Sequence, residues 1–132
     1  MSRELLDYID RLEREHVEVR QALGALQPLA QANDSAALFA ALPKWEDVLV
    51  KGLNDHSSLE DDVVFPQLAD YLGSDLVAAF IGDHIDILAA RDVLYAAGES
   101  SVNACLELND LLGSHLSREE EILFPSARNA MS

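Results

Sequence analysis

The chain has 132 residues, of which 49% are hydrophobic, and this size and composition predict a single globular domain over residues 1–132. The net charge of −15 and the isoelectric point near 4.3 oppose binding to nucleic acid or to an anionic membrane surface. No apolar run resembles a signal peptide or a transmembrane span, and the single cysteine, Cys105, cannot form an internal disulfide. We therefore expect a cytoplasmic protein with no nucleic-acid or membrane partner.

Apolar residues recur at helical spacing along the chain, which predicts an all-α fold. The first helix has an apolar seam that includes His16, and it is expected to end near Pro28. Asp34 or Ser35 then caps a second helix that runs to about residue 64, with a candidate kink at Pro43. The predicted inward residues of this second helix are Leu49, Leu53, His56, Glu60 and Val63.

Pro66 and the sequence LGSD at 72–75 mark the next break, where Gly73 is expected to end one helix and Ser74 to cap another. This third helix is predicted to run to about Ala97. Its predicted inner face holds Val77, Ile81, His84 and Leu88. A fourth helix follows the sequence AGESS, and its predicted inward residues are Cys105, Leu108, Leu112, His115, Glu119 and Ile122.

Two internal repeats relate the halves of the chain. HSSLEDDVVFP at 56–66 aligns without gaps on HLSREEEILFP at 115–125, and EHVEV at 15–19 matches DHIDI at 83–87. The chain therefore reads as two helical hairpins, each with one lone histidine and one His-x-x-x-Glu. Because residues four apart share a helix face, each such histidine and glutamate point the same way.

Glutamates on the inner faces of helices require a partner, since a buried charge costs several kcal/mol unless it is paired or bound to metal. The nearby basic residues, such as Arg14, Lys51 and Arg118, are predicted on other faces. Imidazole and carboxylate together suit iron, manganese or zinc. We therefore predict two metal ions bridged by both glutamates, each with two histidine nitrogens. The predicted ligands are His16, His56, Glu60, His84, His115 and Glu119.

The histidines and glutamates also have interpretations that involve no metal. A single His-x-x-x-Glu is more often a surface pair, and four buried histidines could form a hydrogen-bonded layer without metal. The acids Asp61, Asp62, Glu120 and Glu121 are predicted on solvated faces, where one oxygen could accept a hydrogen bond from a ligand histidine. Cys105 is expected to be an inert buried thiol. Gly52 either leaves room for a small ligand or permits close helix packing.

The histidines and the two His-x-x-x-Glu segments, HSSLE at 56–60 and HLSRE at 115–119, resemble the H…HxxxE…H…HxxxE pattern of hemerythrin-like proteins, also called HHE cation-binding domains. The resemblance covers nearly the whole chain and implies an up-down-up-down antiparallel four-helix bundle with a non-haem di-iron centre. It implies that His16 and His56 bind one iron and that His84 and His115 bind the other. Glu60 and Glu119 would bridge them beside an oxo or hydroxo group.

This sequence lacks the additional third-helix histidine of the oxygen-carrying members, because Phe80 and Leu88 stand one turn from His84. Both irons are then expected to keep an open position for O2, nitric oxide or peroxide. One hypothesis is a protein that binds or senses such a ligand or handles iron. A second is a catalase-like enzyme that decomposes peroxide. A third is a structural bundle that holds zinc or no metal and binds a protein partner.

Overall fold

The computed structural model describes residues 2–96 and 101–131, which are helical almost throughout and contain no β-strand. None of their helices has an apolar stretch that would cross a lipid bilayer. The α-helices are α1 (Ser2–Gln31), α2 (Ser35–Ala41), α3 (Leu53–Leu59), α4 (Phe65–Leu72), α5 (Ser74–Tyr95), α6 (Ser101–Arg118) and α7 (Phe124–Met131). A 3₁₀ turn (Leu42–Trp45) and three π turns (Asp47–Gly52, Glu60–Val64 and Glu119–Leu123) join consecutive helices without a break. The predicted all-α helical bundle is confirmed, whereas the up-down-up-down course stays a prediction.

The helix ends differ in part from those predicted. Helix α1 ends at Gln31, near the predicted end, and Pro28 lies inside its last turn. The cap at Asp34 is confirmed, since its side chain accepts a 3.0 Å hydrogen bond from the amide of Ala37. The proline at 66 does not end its helix either, because helical backbone continues to Leu72.

Helix α4 ends at its C-cap Gly73, as predicted, and this residue has a positive φ of 91° that suits glycine. Gly73 is also the N-cap of α5, so the predicted cap at Ser74 is wrong; Ser74 is the first residue of the helix. Helix α5 ends at Tyr95. The predicted end at Ala97 and most of the connection AGESS lie outside the described residues.

Two π turns begin at the glutamates Glu60 and Glu119, and they change which of the following residues face the core. The amide of Phe65 bonds the carbonyl of Glu60, and the amide of Phe124 bonds that of Glu119, each five residues back instead of four. This wider turn places Val64 and Leu123 in the core. A constant helical period predicts Val63 and Ile122 as inward residues, and these two predictions are wrong by one position. Ile122 is half exposed and Val63 is only partly buried.

Two apolar clusters form the core, one on each side of the histidine and glutamate positions. One cluster includes Val19, Leu53, Ile87 and Leu112, and the other includes Leu12, Val64, Phe80, Leu123 and Phe124. The inner face of α5 includes Phe80, whereas the predicted Ile81 is 38% exposed. A polar layer between the clusters is thus shielded from water at both ends.

Arg91, a buried cation of α5, binds backbone carbonyls of a π turn. Its Nη1 donates hydrogen bonds to the carbonyls of Leu49 and Val50, at 3.1 and 3.3 Å, and to Oδ1 of Asn54 at 3.0 Å. These carbonyls lie in the π turn Asp47–Gly52, so Arg91 links α5 to an irregular part of the neighbouring segment. This interaction explains a charged residue on the inner face of α5.

Replacing Arg91 by methionine should lower the free energy of unfolding by about 2–3 kcal/mol, because buried carbonyls lose their donor. Urea denaturation followed by circular dichroism measures the change. The exposed Arg14 provides a matched control, and Arg14→Met should shift stability by less than about 0.5 kcal/mol. Equal stability of the two variants would show that Arg91 does not support the turn.

Candidate metal centre

The six residues predicted as ligands come together in the layer between the two apolar clusters. Their side chains are all buried, with Glu60 and Glu119 fully inaccessible and His56, the most exposed, at 6%. The two glutamates begin the π turns described above, one helical turn after their histidines. The lone histidines come from α1 and α5. The layer contains His16, His56, Glu60, His84, His115 and Glu119.

These side chains form two groups of three. In each group, one candidate ligand atom per residue lies within 4.8 Å of the others, which is a spacing that could hold a metal ion. The first group is His16, His56 and Glu119, and the second is Glu60, His84 and His115. Each group therefore combines side chains from both hairpins.

Each glutamate lies between histidines of the two groups. Oε1 of Glu119 is 3.2 Å from Nε2 of His16 and 3.4 Å from Nε2 of His115. The second glutamate repeats this arrangement, since Oε1 of Glu60 is 3.4 Å from Nε2 of His56 and 3.0 Å from Nε2 of His84. A carboxylate in this position can contact a cation in either group.

The outer nitrogen of every histidine pairs with a carboxylate from another helical segment. The Nδ1 distances are 2.7 Å for His16 to Glu120, 2.9 Å for His56 to Glu15, 2.9 Å for His84 to Asp61 and 2.9 Å for His115 to Asp83. An ionised carboxylate only accepts hydrogen bonds, so Nδ1 carries the proton and donates. A neutral ring then has its lone pair on Nε2, the nitrogen that faces the layer.

Two of these acids were missed as functional residues in the sequence analysis. Glu15 and Asp83 directly precede the lone histidines, and their shared place in the EHVEV and DHIDI repeat was the available signal. Asp61 and Glu120 were predicted on solvated faces with one oxygen free to accept from a histidine, and both are partly exposed and do so.

Hydrogen bonding lowers the pKa of three outer acids, Glu15, Asp83 and Glu120. The hydrogen bond from His56 is the main cause of the lowered pKa of Glu15, and Arg11 lowers that pKa further. Partial burial raises the pKa of Asp83, but hydrogen bonds from His115 and Arg118 outweigh it, so the pKa is lowered overall. These charges fix the histidine tautomers at neutral pH.

Burial has the opposite effect inside the layer. It raises the pKa of Glu60 to about 8 and that of Glu119 well above its ordinary value, the latter also because Glu60 is adjacent. Burial likewise lowers the pKa of His115 to about 4. Within residues 2–96 and 101–131, no lysine or arginine forms an ion pair with either glutamate. The layer therefore lacks a protein cation that would balance two ionised carboxylates.

Several polar atoms of the layer have no hydrogen-bond partner in the described part of the chain. They are Nε2 of His16, His56 and His115, Oε2 of Glu60 and both oxygens of Glu119. All buried side-chain nitrogen and oxygen atoms found unpaired in residues 2–96 and 101–131 belong to these ligand candidates. Since unpaired buried polar groups are costly, the donor set fits a bound cation better than an empty layer.

The phenylalanines of the two Phe-Pro sequences cover the lone histidines. Phe124 stacks on His16 with ring centroids 5.9 Å apart, and Phe65 stacks on His84 at 5.7 Å. Phe80 contacts His115 edge-on at 5.6 Å. The π turns that follow the glutamates thus place an aromatic ring against each lone histidine and hold its orientation.

A small cavity of about 10 Å³, room for about one water molecule, lies beside His56, His84 and His115. Its other lining residues are Val19, Leu53, Ser57, Ile87, Leu112 and Leu116. Gly52 does not line it but borders an outer cleft next to His56, where a Cβ would lie 3.2 Å from the carbonyl of Asp47. Gly52 therefore serves close backbone packing in its π turn.

The fold and the donor set define a metal-binding helical protein. The family model of the hemerythrin HHE cation binding domain matches residues 7–127, and the chain belongs to this family. Searches of curated proteins and of solved structures gave no significant match.

Removing the carboxylate of Glu120 should weaken metal binding, because His16 loses the acceptor that orients its ring. We expect Glu120→Ala to lower metal affinity about 10- to 100-fold. Competition with a coloured chelator measures the affinity. Glu121→Ala removes the adjacent, exposed acid and should leave affinity unchanged; similar losses in both variants would point to general surface charge instead.

The metal-free protein should lose stability as the pH rises from about 6.5 to about 8, which lies above the pKa of His115 in both the folded and the unfolded state. In this window the folded state retains a proton on Glu60 that the unfolded chain has released. This group alone contributes a slope of up to about 1.4 kcal/mol per pH unit. Urea denaturation of chelator-treated protein at several pH values measures the slope. Glu60→Gln should reduce it and Glu121→Gln should not; an unchanged slope in Glu60→Gln would contradict the raised pKa.

Proposed function

We propose that the protein is a non-haem di-iron protein that binds O2 or a related small ligand, such as nitric oxide or peroxide, at an open position of the metal centre. The observation that carries the proposal is the placement of each glutamate between histidines of both groups, with most of the inward atoms unpaired. His16 and His56 would hold one iron, and His84 and His115 would hold the other. Glu60 and Glu119 would bridge the pair.

The nitrogen and oxygen ligands favour iron, with manganese or zinc as alternatives that the same donors accept. When bound, a pair of irons supplies redox chemistry and open coordination positions for small ligands. The protein contributes the orientation of its ligands: outer carboxylates hold Nδ1 of each histidine, and the stacked phenylalanines limit rotation of the lone rings. Each iron would have two imidazoles and two bridging carboxylates, which leaves positions open.

The cavity beside three of the histidines supports binding of a small molecule. It admits a group about the size of water, and its wall is mainly aliphatic, so bulk water and large substrates are excluded. Such a pocket suits one end of a small ligand. We further expect the protein to act in the cytoplasm, where the buried Cys105 thiol would stay reduced.

Peroxide decomposition would use the same site, so a direct experiment must separate binding from turnover. The protein is purified without oxygen, its metal content is measured, and visible spectra are recorded on adding air, nitric oxide and peroxide. A reversible absorption band with two irons per chain supports the proposal. Sustained gas evolution from peroxide would indicate the enzyme, and a colourless zinc protein would contradict a di-iron function.

Replacing either glutamate should remove metal. We expect Glu60→Ala and Glu119→Ala to bind at least one ion fewer than the wild type and to unfold at lower temperature when loaded, because the remaining donors stay buried and unpaired. Metal analysis and thermal denaturation measure both effects. Asp62→Ala, which removes an exposed acid of the same turn, is the control. Two tightly bound ions and full stability in Glu60→Ala would rule out the bridging role.

A further inference from the structure

Four pairs of equivalent positions from the two repeats line the cavity beside the metal layer, and one of these pairs is His56 and His115. Val19 and Ile87 each lie three residues after a lone histidine. Leu53 and Leu112 each lie three residues before the histidine of a His-x-x-x-Glu. Both of these pairs are apolar. The repeat therefore builds most of the cavity from matching aliphatic side chains.

The remaining pair breaks this symmetry. Ser57 and Leu116 each directly follow the histidine of a His-x-x-x-Glu, and both line the cavity, but one is a hydroxyl and the other an aliphatic side chain. Ser57 is 7% exposed. A hydroxyl in an apolar wall is unfavourable unless it forms a hydrogen bond. Its position gives one side of the cavity a polar group that the other side lacks.

The neighbours of Ser57 in the wall leave few partners for its hydroxyl. The aliphatic residues have no polar side-chain atom, and the three histidines direct Nδ1 to outer carboxylates. The Ser57 hydroxyl is not among the fully buried unpaired atoms, and the side chain keeps 7% exposure, so its possible partners are a carbonyl of its own helix, a water molecule and an occupant of the cavity. The size of the cavity limits an occupant to a group of about one water molecule.

We propose that Ser57 is a positioning residue whose hydroxyl donates a hydrogen bond to a small acceptor ligand in this cavity. The inference rests on the proposed function, since one end of the ligand would be held by the metal centre. The ligand class is a small molecule or anion whose far atom accepts a hydrogen bond. The leucine at the equivalent position then makes the cavity directional, with a polar side at Ser57 and an apolar side at Leu116.

Azide is a suitable probe, because its terminal nitrogens accept hydrogen bonds. The iron(III)-loaded full chain is titrated with azide by visible absorption, and the infrared azide stretch is recorded in H2O and D2O. Ser57→Ala should retain its iron but bind azide about three- to ten-fold more weakly, as expected for one lost hydrogen bond. The D2O shift of the wild type should be lost. Ser58→Ala, an exposed serine on the same helix, should retain both wild-type properties.

The outcomes separate this inference from the proposed function. If Ser57→Ala matches Ser58→Ala in azide affinity and D2O shift, the hydroxyl bonds its own helix and the inference is overturned while ligand binding stands. If the wild type binds no iron, or binds iron but no azide, both proposals are overturned.

Discussion

The burial of two carboxylates that no lysine or arginine of the described residues pairs with is the constraint on which the centre of this protein depends. Glu60 and Glu119 lie fully inside the bundle, and burial raises the pKa of each. In a metal-free layer, burial favours their protonated forms. Bound cations remove this penalty and pair the unpaired nitrogens and oxygens at once. Metal binding and stability of the bundle are therefore coupled through the same atoms.

The two repeats give the centre a near twofold arrangement with four matched carboxylate and histidine pairs. Acids preceding the lone histidines support histidines of the next helical segment, and acids following the glutamates support the lone histidines. The two Phe-Pro sequences are also equivalent in the repeats, because each places a phenylalanine ring against a lone histidine. At the cavity the match ends, because Ser57 stands where the other repeat has Leu116. The proposed role of Ser57 rests on this difference between the repeats.

Much of the centre could be predicted from sequence because it follows helical spacing. A histidine and a glutamate four residues apart share a face in any helix. Because this pair occurs in both repeats, the sequence predicts two such pairs in one site. The core positions after the glutamates were predicted wrongly, since a π turn adds a residue that no periodic pattern reveals; Leu123, not Ile122, is buried. The partners of Nδ1 depend on how helices pack against one another. For this reason Glu15 and Asp83 were not recognised before the fold was known.

Anomalous X-ray diffraction from crystals of the purified protein, collected on both sides of the iron absorption edge, tests the central claim most directly. The account predicts two iron peaks in the buried layer, one near Nε2 of His16 and His56 and one near Nε2 of His84 and His115, with both glutamates between them. A fold with the same buried side chains and no anomalous peak in the layer would contradict it.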